Sequence, residues 1–215
     1  MIETVENAAQ LVVVGISCCI AFVNLLRRRS RIWLLLGLSY GSFLLGLLYW
    51  LLYLLFYGDT PHFRYISELS WYTAYLLLYM MLHTVSDPEE RSVRSRIPFL
   101  LLLFAAGMCV FYMQCSSVLS NLIALICMSM LLFHSSRGLI YHRNKKGHGK
   151  WCRLYALTLL FCSAEYSMWT VTCIYWTDTF SNPYFWFDIL QTICFPLFLP
   201  AAAGMMKPEK AVGET

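Results

Sequence analysis

Three acidic side chains interrupt long apolar stretches of this sequence, and their chemistry stands out first. Glu68, Glu165 and Asp188 each lie inside a segment of otherwise apolar and aromatic residues. An acid at the centre of a membrane helix costs about 2.5–3.5 kcal/mol on the insertion scale, so such residues face protein and mark functional sites. We therefore take these three as candidates for binding a positive charge or transferring a proton.

Helical spacing puts each acid on one face with other polar or aromatic residues. The predicted faces are Glu68, Tyr72, Tyr75 and Tyr79; Glu165, Trp169 and Thr172; and Asp188, Gln191 and Phe195. Gln114 and Asn121, near two predicted outer helix ends, add further polar groups. Because lipid rejects polar faces, we expect these residues to meet inside a helix bundle, in its outer half.

Such a lining favours a small cationic or amphipathic ligand, since carboxylates attract positive charge and aromatic faces bind cations. The predicted ligand-binding residues are Glu68, Tyr72, Tyr75, Glu165, Trp169, Asp188 and Gln191. Structural interpretations stay open beside this one. Tyrosines and tryptophans at outer ends commonly anchor helices at the membrane interface. Glu68 and Asp188 could simply reach the headgroup region. Glu165 could be a buried structural acid held by hydrogen bonds. A proton relay would need a further acid in the inner half, and the sequence indicates none.

Other chemistry finds less support. No cysteine or histidine pair has the spacing of a structural zinc site, and no motif indicates a cofactor or a catalytic residue. Cys152 and four histidines fall on the predicted inner side, where nothing in their spacing joins them; the histidines are His83, His134, His142 and His148. Cys115 and Cys173 both lie near predicted outer ends and could pair if the fold brings them together.

The elements that must position these residues are membrane helices. The chain has 215 residues, of which 59% are hydrophobic and 13% charged, whereas about 25% of the residues of a soluble domain are charged. This composition predicts an all-α integral membrane protein with a single membrane domain. The seven predicted spans are 8–26, 32–56, 65–84, 98–114, 118–136, 151–176 and 183–206.

The basic residues predict the orientation of the spans. The apolar tract 98–136 has basic flanks on both sides, so it must cross the bilayer twice. Of the sixteen lysines and arginines, only Arg64 falls on the predicted outer side. We therefore expect the N-terminus outside and the C-terminus in the cytoplasm of a multi-pass plasma-membrane protein, with the bilayer rather than a nucleic acid as partner of the basic face.

Three stretches give the chain a resemblance to a known class of membrane region. They are the basic turn 27–33, the acidic and aromatic start of the third span at 67–72, and the start of the seventh span at 186–190. In these the chain resembles the seven-helix sensor-like regions that precede diguanylate cyclase or histidine kinase domains in bacteria. No output domain follows Met206, so the resemblance implies signalling through a separate protein partner.

These observations predict a ligand-sensing or regulatory protein that acts through a cytoplasmic or membrane partner. The predicted loops are short and leave no room for an extramembrane domain, so the site must lie among the helices. An alternative is a small transporter or permease component that uses the intramembrane acids. A membrane enzyme acting on lipid is a third possibility, which the sequence neither supports nor excludes.

Overall fold

The computed structural model describes residues 2–143, 145 and 147–205, and all regular secondary structure in them is helical. The helices are α1 (Ile2–Arg28), α2 (Arg31–Tyr57), α3 (Tyr65–Val85), α4 (Pro88–Ser92), α5 (Arg96–Tyr112), α6 (Val118–Arg143), α7 (Gly149–Ile174) and α8 (Pro183–Met205). The all-α prediction is confirmed. Each predicted span overlaps one of the seven longer helices, and the predicted end of the last span, Met206, lies outside the described residues.

Local sequence signals account for where several helices begin and end. Ser30 caps α2, and its hydroxyl accepts a hydrogen bond from the backbone N–H of Ile32. Gly58 ends α2 with a φ of +69°, which a residue without a Cβ adopts at low cost. Pro88 begins the five-residue helix α4. A proline suits the first turn because the missing N–H would have no helical partner there.

Six helices form a closed ring in the order α1, α2, α3, α6, α7, α8, and α5 packs outside it, mainly on α6. The contact between α2 and α3 is close at Gly46, where an added Cβ would lie 2.6 Å from Nε1 of Trp71. Across the ring, the Tyr40 hydroxyl of α2 donates to the backbone carbonyl of Phe195 in α8, at 2.6 Å. This ring encloses the functional side chains.

An apolar layer crosses the middle of the ring. Its buried members include Leu78, Met128, Leu131, Phe161 and Phe198. The outside of the bundle is also apolar, with large side chains such as Leu103 and Val110 exposed by 70% and 64%. Water-soluble proteins rarely expose extended apolar surface of this kind, whereas lipid-facing helices require it.

Five of the described helices are long and apolar enough to cross a membrane: α1, α2, α6, α7 and α8. This agrees with a multi-pass membrane protein. The other two longer helices do not meet the same measure. α5 is apolar but has only 17 residues, and α3 carries more polar residues, among them Glu68.

Candidate functional site

A cavity of about 560 Å³ opens at the end of the bundle where α1, α3 and α8 begin and α7 ends. We call it the acidic cavity. Its volume falls within the range of small-molecule sites, about 300–1,000 Å³. Among the described residues that line it, five carry carboxylates and one, Arg64, carries a guanidinium. The five acids are Glu3, Asp59, Glu68, Glu165 and Asp188.

All seven residues predicted from the sequence to bind a ligand line this cavity: Glu68, Tyr72, Tyr75, Glu165, Trp169, Asp188 and Gln191. Thr172 and Asn121 line it as well. Three other residues of the predicted polar set lie elsewhere. Gln114 is exposed outside the lining, Tyr79 contacts His83 and His134 on α3 and α6, and Phe195 packs on Tyr40 and Phe43.

Glu165 is a buried acid of the cavity and, like Asp188, is only 3% exposed. The hydroxyl of Tyr75 on α3 and the side-chain amide of Gln191 on α8 both donate to its Oε1 atom. A buried carboxylate is costly without such donors. Glu165 therefore joins α7 to α3 and α8 through neutral groups, and its negative charge has no cationic partner among the described residues.

Asp188 forms a second acidic group with the first turns of α1. Nε2 of Gln10 donates to Asp188 Oδ1 at 2.6 Å and lies 2.9 Å from the hydroxyl of Thr192. The Glu6 carboxyl lies beside that of Asp188, and its Oε2 atom is buried without a hydrogen-bond partner in the described structure. Two adjacent carboxyl groups repel each other when both are ionised, so they favour a shared proton or a bound cation.

The sequence interpretation missed the contribution of α1. Glu3, Asn7 and Gln10 all line the acidic cavity. The first predicted span, 8–26, begins after Glu3 and Asn7, and Gln10 was not among the predicted polar residues. A polar helical face could have been recognised here from the sequence. The i, i+3, i+4, i+7 spacing of one face is followed by Glu3, Glu6, Asn7 and Gln10.

Glu68 is held on the opposite wall by a chain of hydroxyl groups. Ser120 of α6 donates to Glu68 Oε2 at 2.6 Å, and the Tyr72 hydroxyl lies 2.6 Å from the same serine oxygen. Near the mouth, Nε1 of Trp50 donates to Glu3 Oε1 at 3.1 Å. Neutral donors therefore orient these carboxylates without neutralising them, which leaves the cavity attractive to positive charge.

Cys115 and Cys173 meet at the rim of the acidic cavity. Their side chains are in contact, and Cys115 Sγ lies 3.9 Å from the backbone carbonyl of Cys173. Both thiols are free. The fold thus brings together the two cysteines for which the sequence left pairing open, and the disulfide itself remains a prediction.

A second polar cluster lies at the opposite end of the bundle, around Glu90 of α4. This carboxyl is 0% exposed. The Tyr155 hydroxyl donates to both of its oxygens, at 2.8 and 2.9 Å, and His142 Nε2 lies 3.1 Å from Oε2. His134 Nε2 lies 3.9 Å from Oε1. We call these residues, with His148, the Glu90 cluster.

The Glu90 cluster corrects two interpretations of the sequence. A buried acid does exist at this end, and four histidines lie close together there, since His83 stacks near His134 and His148 contacts His142. Sequence reasoning missed Glu90 because it lies in a polar stretch with no apolar periodicity. The available signal was on α6, where His134, Gly138 and His142 share one face at i, i+4, i+8.

Burial raises the pKa of the Glu90 carboxyl, while the hydrogen bond from Tyr155 and the charge of Arg137 act in the opposite direction. α6 can approach this carboxyl because residue 138 is glycine. An added Cβ there would lie 2.4 Å from the Tyr155 ring and 2.8 Å from Glu90 Oε1. The cluster is therefore a tightly packed polar site, unlike the open acidic cavity.

Within the described residues, no group of three histidine, cysteine, aspartate or glutamate side chains is arranged to hold a metal ion. Comparisons of the chain with protein-family models, with curated proteins and with solved structures gave no match. The function must therefore be argued from the two sites themselves.

Proposed function

We propose that this chain is a membrane-embedded sensor or regulator that binds a small cationic or amphipathic ligand in the acidic cavity and acts through a separate protein partner. One observation carries the proposal. Acids predicted independently on three helices converge on one aromatic-lined cavity, whose lining within the described residues has five carboxylates and one guanidinium. Carboxylates supply the charge attraction, and Trp169, Tyr72 and neighbouring rings supply faces for a cation.

The proposed topology has seven spans, with α3 and α5 added to the five strongly apolar helices. The N-terminus lies outside and the C-terminus in the cytoplasm, in the cytoplasmic membrane of a bacterium. The distribution of charge supports this orientation, because most of the arginines and lysines fall at or near helix ends away from the acidic cavity. The acidic cavity then opens to the outside, and the Glu90 cluster faces the cytoplasm.

Two features favour sensing over transport. The apolar layer below the cavity, which includes Leu78, Leu131 and Phe161, consists of buried side chains, and the space between Leu78 and Phe161 is only about 10 Å³, too small for an organic cation. Glu165 connects three helices, so a cation that binds it competes with Tyr75 and Gln191 and changes how these helices pack. The resemblance to sensor-like membrane regions agrees with such a change being passed to a partner.

The test is thermal unfolding in nanodiscs with a series of alkyltrimethylammonium ions of increasing chain length. We expect stabilisation of the wild type that saturates with concentration, reaching about 2.7 kcal/mol at a hundred times Kd. Glu165→Gln and Trp169→Ala should each weaken the response, the first by removing charge and the second by removing a ring. Glu89→Gln changes an exposed acid at the other end and should respond like the wild type. A folded wild type that no cation stabilises, or equal stabilisation of Glu165→Gln, would contradict the proposal.

A transporter is the second candidate, and the burial of Glu165 and Asp188 below the cavity mouth supports it, because coupling acids are found in such positions. Uptake of the same ammonium ion into proteoliposomes separates the two functions. Uptake that is lost in Glu165→Gln would establish transport. Binding without uptake, together with a partner that co-purifies only with or only without the cation, would establish sensing.

A further inference from the structure

Two carboxylates of the acidic cavity each keep one oxygen without a hydrogen-bond donor among the described residues. Ser120 donates to Oε2 of Glu68, which leaves the Oε1 atom of this acid. Tyr75 and Gln191 both donate to Oε1 of Glu165, which leaves its Oε2 atom. Both acids line the cavity. Each remaining oxygen is therefore an acceptor for an N–H group of a ligand.

The two carboxylates lie at different depths in the bundle. The Tyr72 hydroxyl shares a serine with Glu68, whereas the Tyr75 hydroxyl donates to Glu165. These tyrosines are three residues apart on α3, which is about 4.5 Å along a helix axis, and their ring centroids are 6.4 Å apart. Asp188, rather than Glu68, is the described acid whose charge acts on Glu165. The two remaining oxygens are thus separate positions for a cation.

The base that lines the cavity leaves both positions without a counter-charge. The charge of Arg64 acts on Glu3, another acid of the lining. Within the described residues, no ion pair joins Glu68 or Glu165 to a lysine or arginine. An ammonium group favours the ionised form of a carboxyl beside it, so it replaces any proton that a buried carboxyl has taken up. Each position can therefore take one positive charge.

The acidic cavity also offers apolar surface to a hydrocarbon chain. Its lining includes Leu47, Ala124 and Met168, together with the rings of Phe43 and Trp169. A methylene chain that covers such side chains removes apolar surface from water. With a volume of about 560 Å³, the cavity has room for several methylene groups and an ammonium group at each end.

We propose that the acidic cavity selects linear diamines, with one ammonium group at Glu68 and the other at Glu165. This inference rests on the proposed function and narrows its ligand to chains with two primary amines. A primary ammonium group has three N–H donors, and a hydrogen bond between opposite charges is about twice as strong as one between neutral groups. Linking two such groups makes the second contact intramolecular, so the affinity gains from a high effective concentration.

The test is titration calorimetry on the full chain in nanodiscs of zwitterionic lipid. Each diamine from diaminopropane to diaminooctane is compared with the amino alcohol of the same chain length, in which a hydroxyl replaces one ammonium group. We expect the best diamine to bind about tenfold more tightly than its amino alcohol, or better, because the two charged contacts are linked. This advantage should pass through a maximum along the series, since a chain that is too short reaches only one carboxylate.

Glu68→Gln is the decisive variant, because it removes one of the two charges and keeps a side chain of similar size. We expect it to lose most of the diamine advantage while one ammonium group still binds at Glu165. Glu89→Gln, which changes an exposed acid at the other end of the bundle, should keep the advantage of the wild type. The comparison of ligands on the wild type is decisive even where a variant does not fold.

Equal affinity of the wild type for diamines and amino alcohols would overturn the inference, and so would an undiminished diamine advantage in Glu68→Gln. These results differ from a failure of the proposed function. Stabilisation of the folded chain by alkyltrimethylammonium ions, without any diamine advantage, would remove this inference alone. A folded wild type that binds no cation of any series would remove both.

Discussion

Two tyrosine–glutamate pairs connect the same two parts of the chain at opposite ends of the bundle, with their roles exchanged. At the acidic cavity, Tyr75 of α3 donates to Glu165 of α7. At the other end, Tyr155 of α7 donates to Glu90 of α4, which follows α3. Both acids are buried, yet they differ in what surrounds them. Glu165 has an amide as its second donor and borders open space, whereas Glu90 is enclosed by imidazoles and lies within reach of the charge of Arg137.

The difference shows how the surroundings decide what a buried acid can do. A buried acid with neutral donors beside a cavity has no counter-charge close by, so it favours a proton or a cation taken up from outside. The enclosed acid Glu90 has the charge of Arg137 acting on it from within the protein and does not line the acidic cavity. The same pair of residue types thus borders an open cavity at one end and holds α4 at the other.

The largest expected effect comes from the rim of the acidic cavity. Mild oxidation with copper phenanthroline should link Cys115 to Cys173, because their side chains already touch. The bridge should stabilise the fold by about 2–4 kcal/mol, the range typical of a disulfide. Thermal unfolding before and after oxidation measures this, with mass spectrometry identifying the bridge. Cys115→Ser should show no shift, and failure of the wild type to cross-link would contradict the packing of α7 against the turn after α5.

Gly138→Ala probes the packing of the Glu90 cluster. The added methyl group would meet the Tyr155 ring at 2.4 Å, and we expect a loss of about 1–3 kcal/mol in unfolding free energy from overpacking. Gly107→Ala in α5 is the matched control, because its Cβ would meet nothing within 4 Å. Denaturation curves of the two variants in the same detergent make the comparison. Equal unfolding free energies of Gly138→Ala and Gly107→Ala would contradict the close approach of α6 to the Tyr155 ring of α7.

Removing one hydroxyl at each end sharpens the comparison between the two pairs. Tyr155→Phe should cost about 1–3 kcal/mol, because it removes the hydroxyl that donates to both oxygens of the enclosed Glu90 and leaves the 3.1 Å contact with His142 Nε2. Tyr75→Phe should cost less, since Gln191 still donates to Glu165 and water in the cavity can replace the lost hydroxyl. Unfolding free energies measured at one pH give the ranking. The reverse ranking would indicate that Glu165 is the more enclosed acid and would weaken the ligand-binding proposal.

The smallest effect concerns Arg64, the base found among the described residues that line the acidic cavity. Arg64→Gln should tighten binding of an organic cation by about two- to fivefold at low salt, since an exposed charge contributes little and is screened. Titration calorimetry at two salt concentrations tests this, and the gain should shrink at the higher one. Arg96→Gln, an exposed change at the other end of the bundle, is the control. A loss of affinity in Arg64→Gln would indicate an anionic group on the ligand.

Much of the acidic cavity could be predicted from the sequence, because its acids lie on apolar helices whose polar faces are visible as a spacing. Glu68, Glu165 and Asp188 were found in this way, with four of the neutral residues around them. The α1 residues were missed because the predicted span was started too late. Glu90 could not be found by the same reasoning, since a carboxylate in a polar loop has no reason to be buried until neighbouring helices cover it.

The sequence by itself determined the all-α architecture and the inward polar faces, because apolar periodicity and the cost of polar groups in lipid act along each helix separately. Only the tertiary structure decided which faces meet. It joined Tyr75 to Glu165, brought Cys115 to Cys173 and assembled Glu90 with histidines more than forty residues away along the chain. These contacts depend on how helices pack side by side, as at Gly138, and no spacing within a single helix encodes that arrangement.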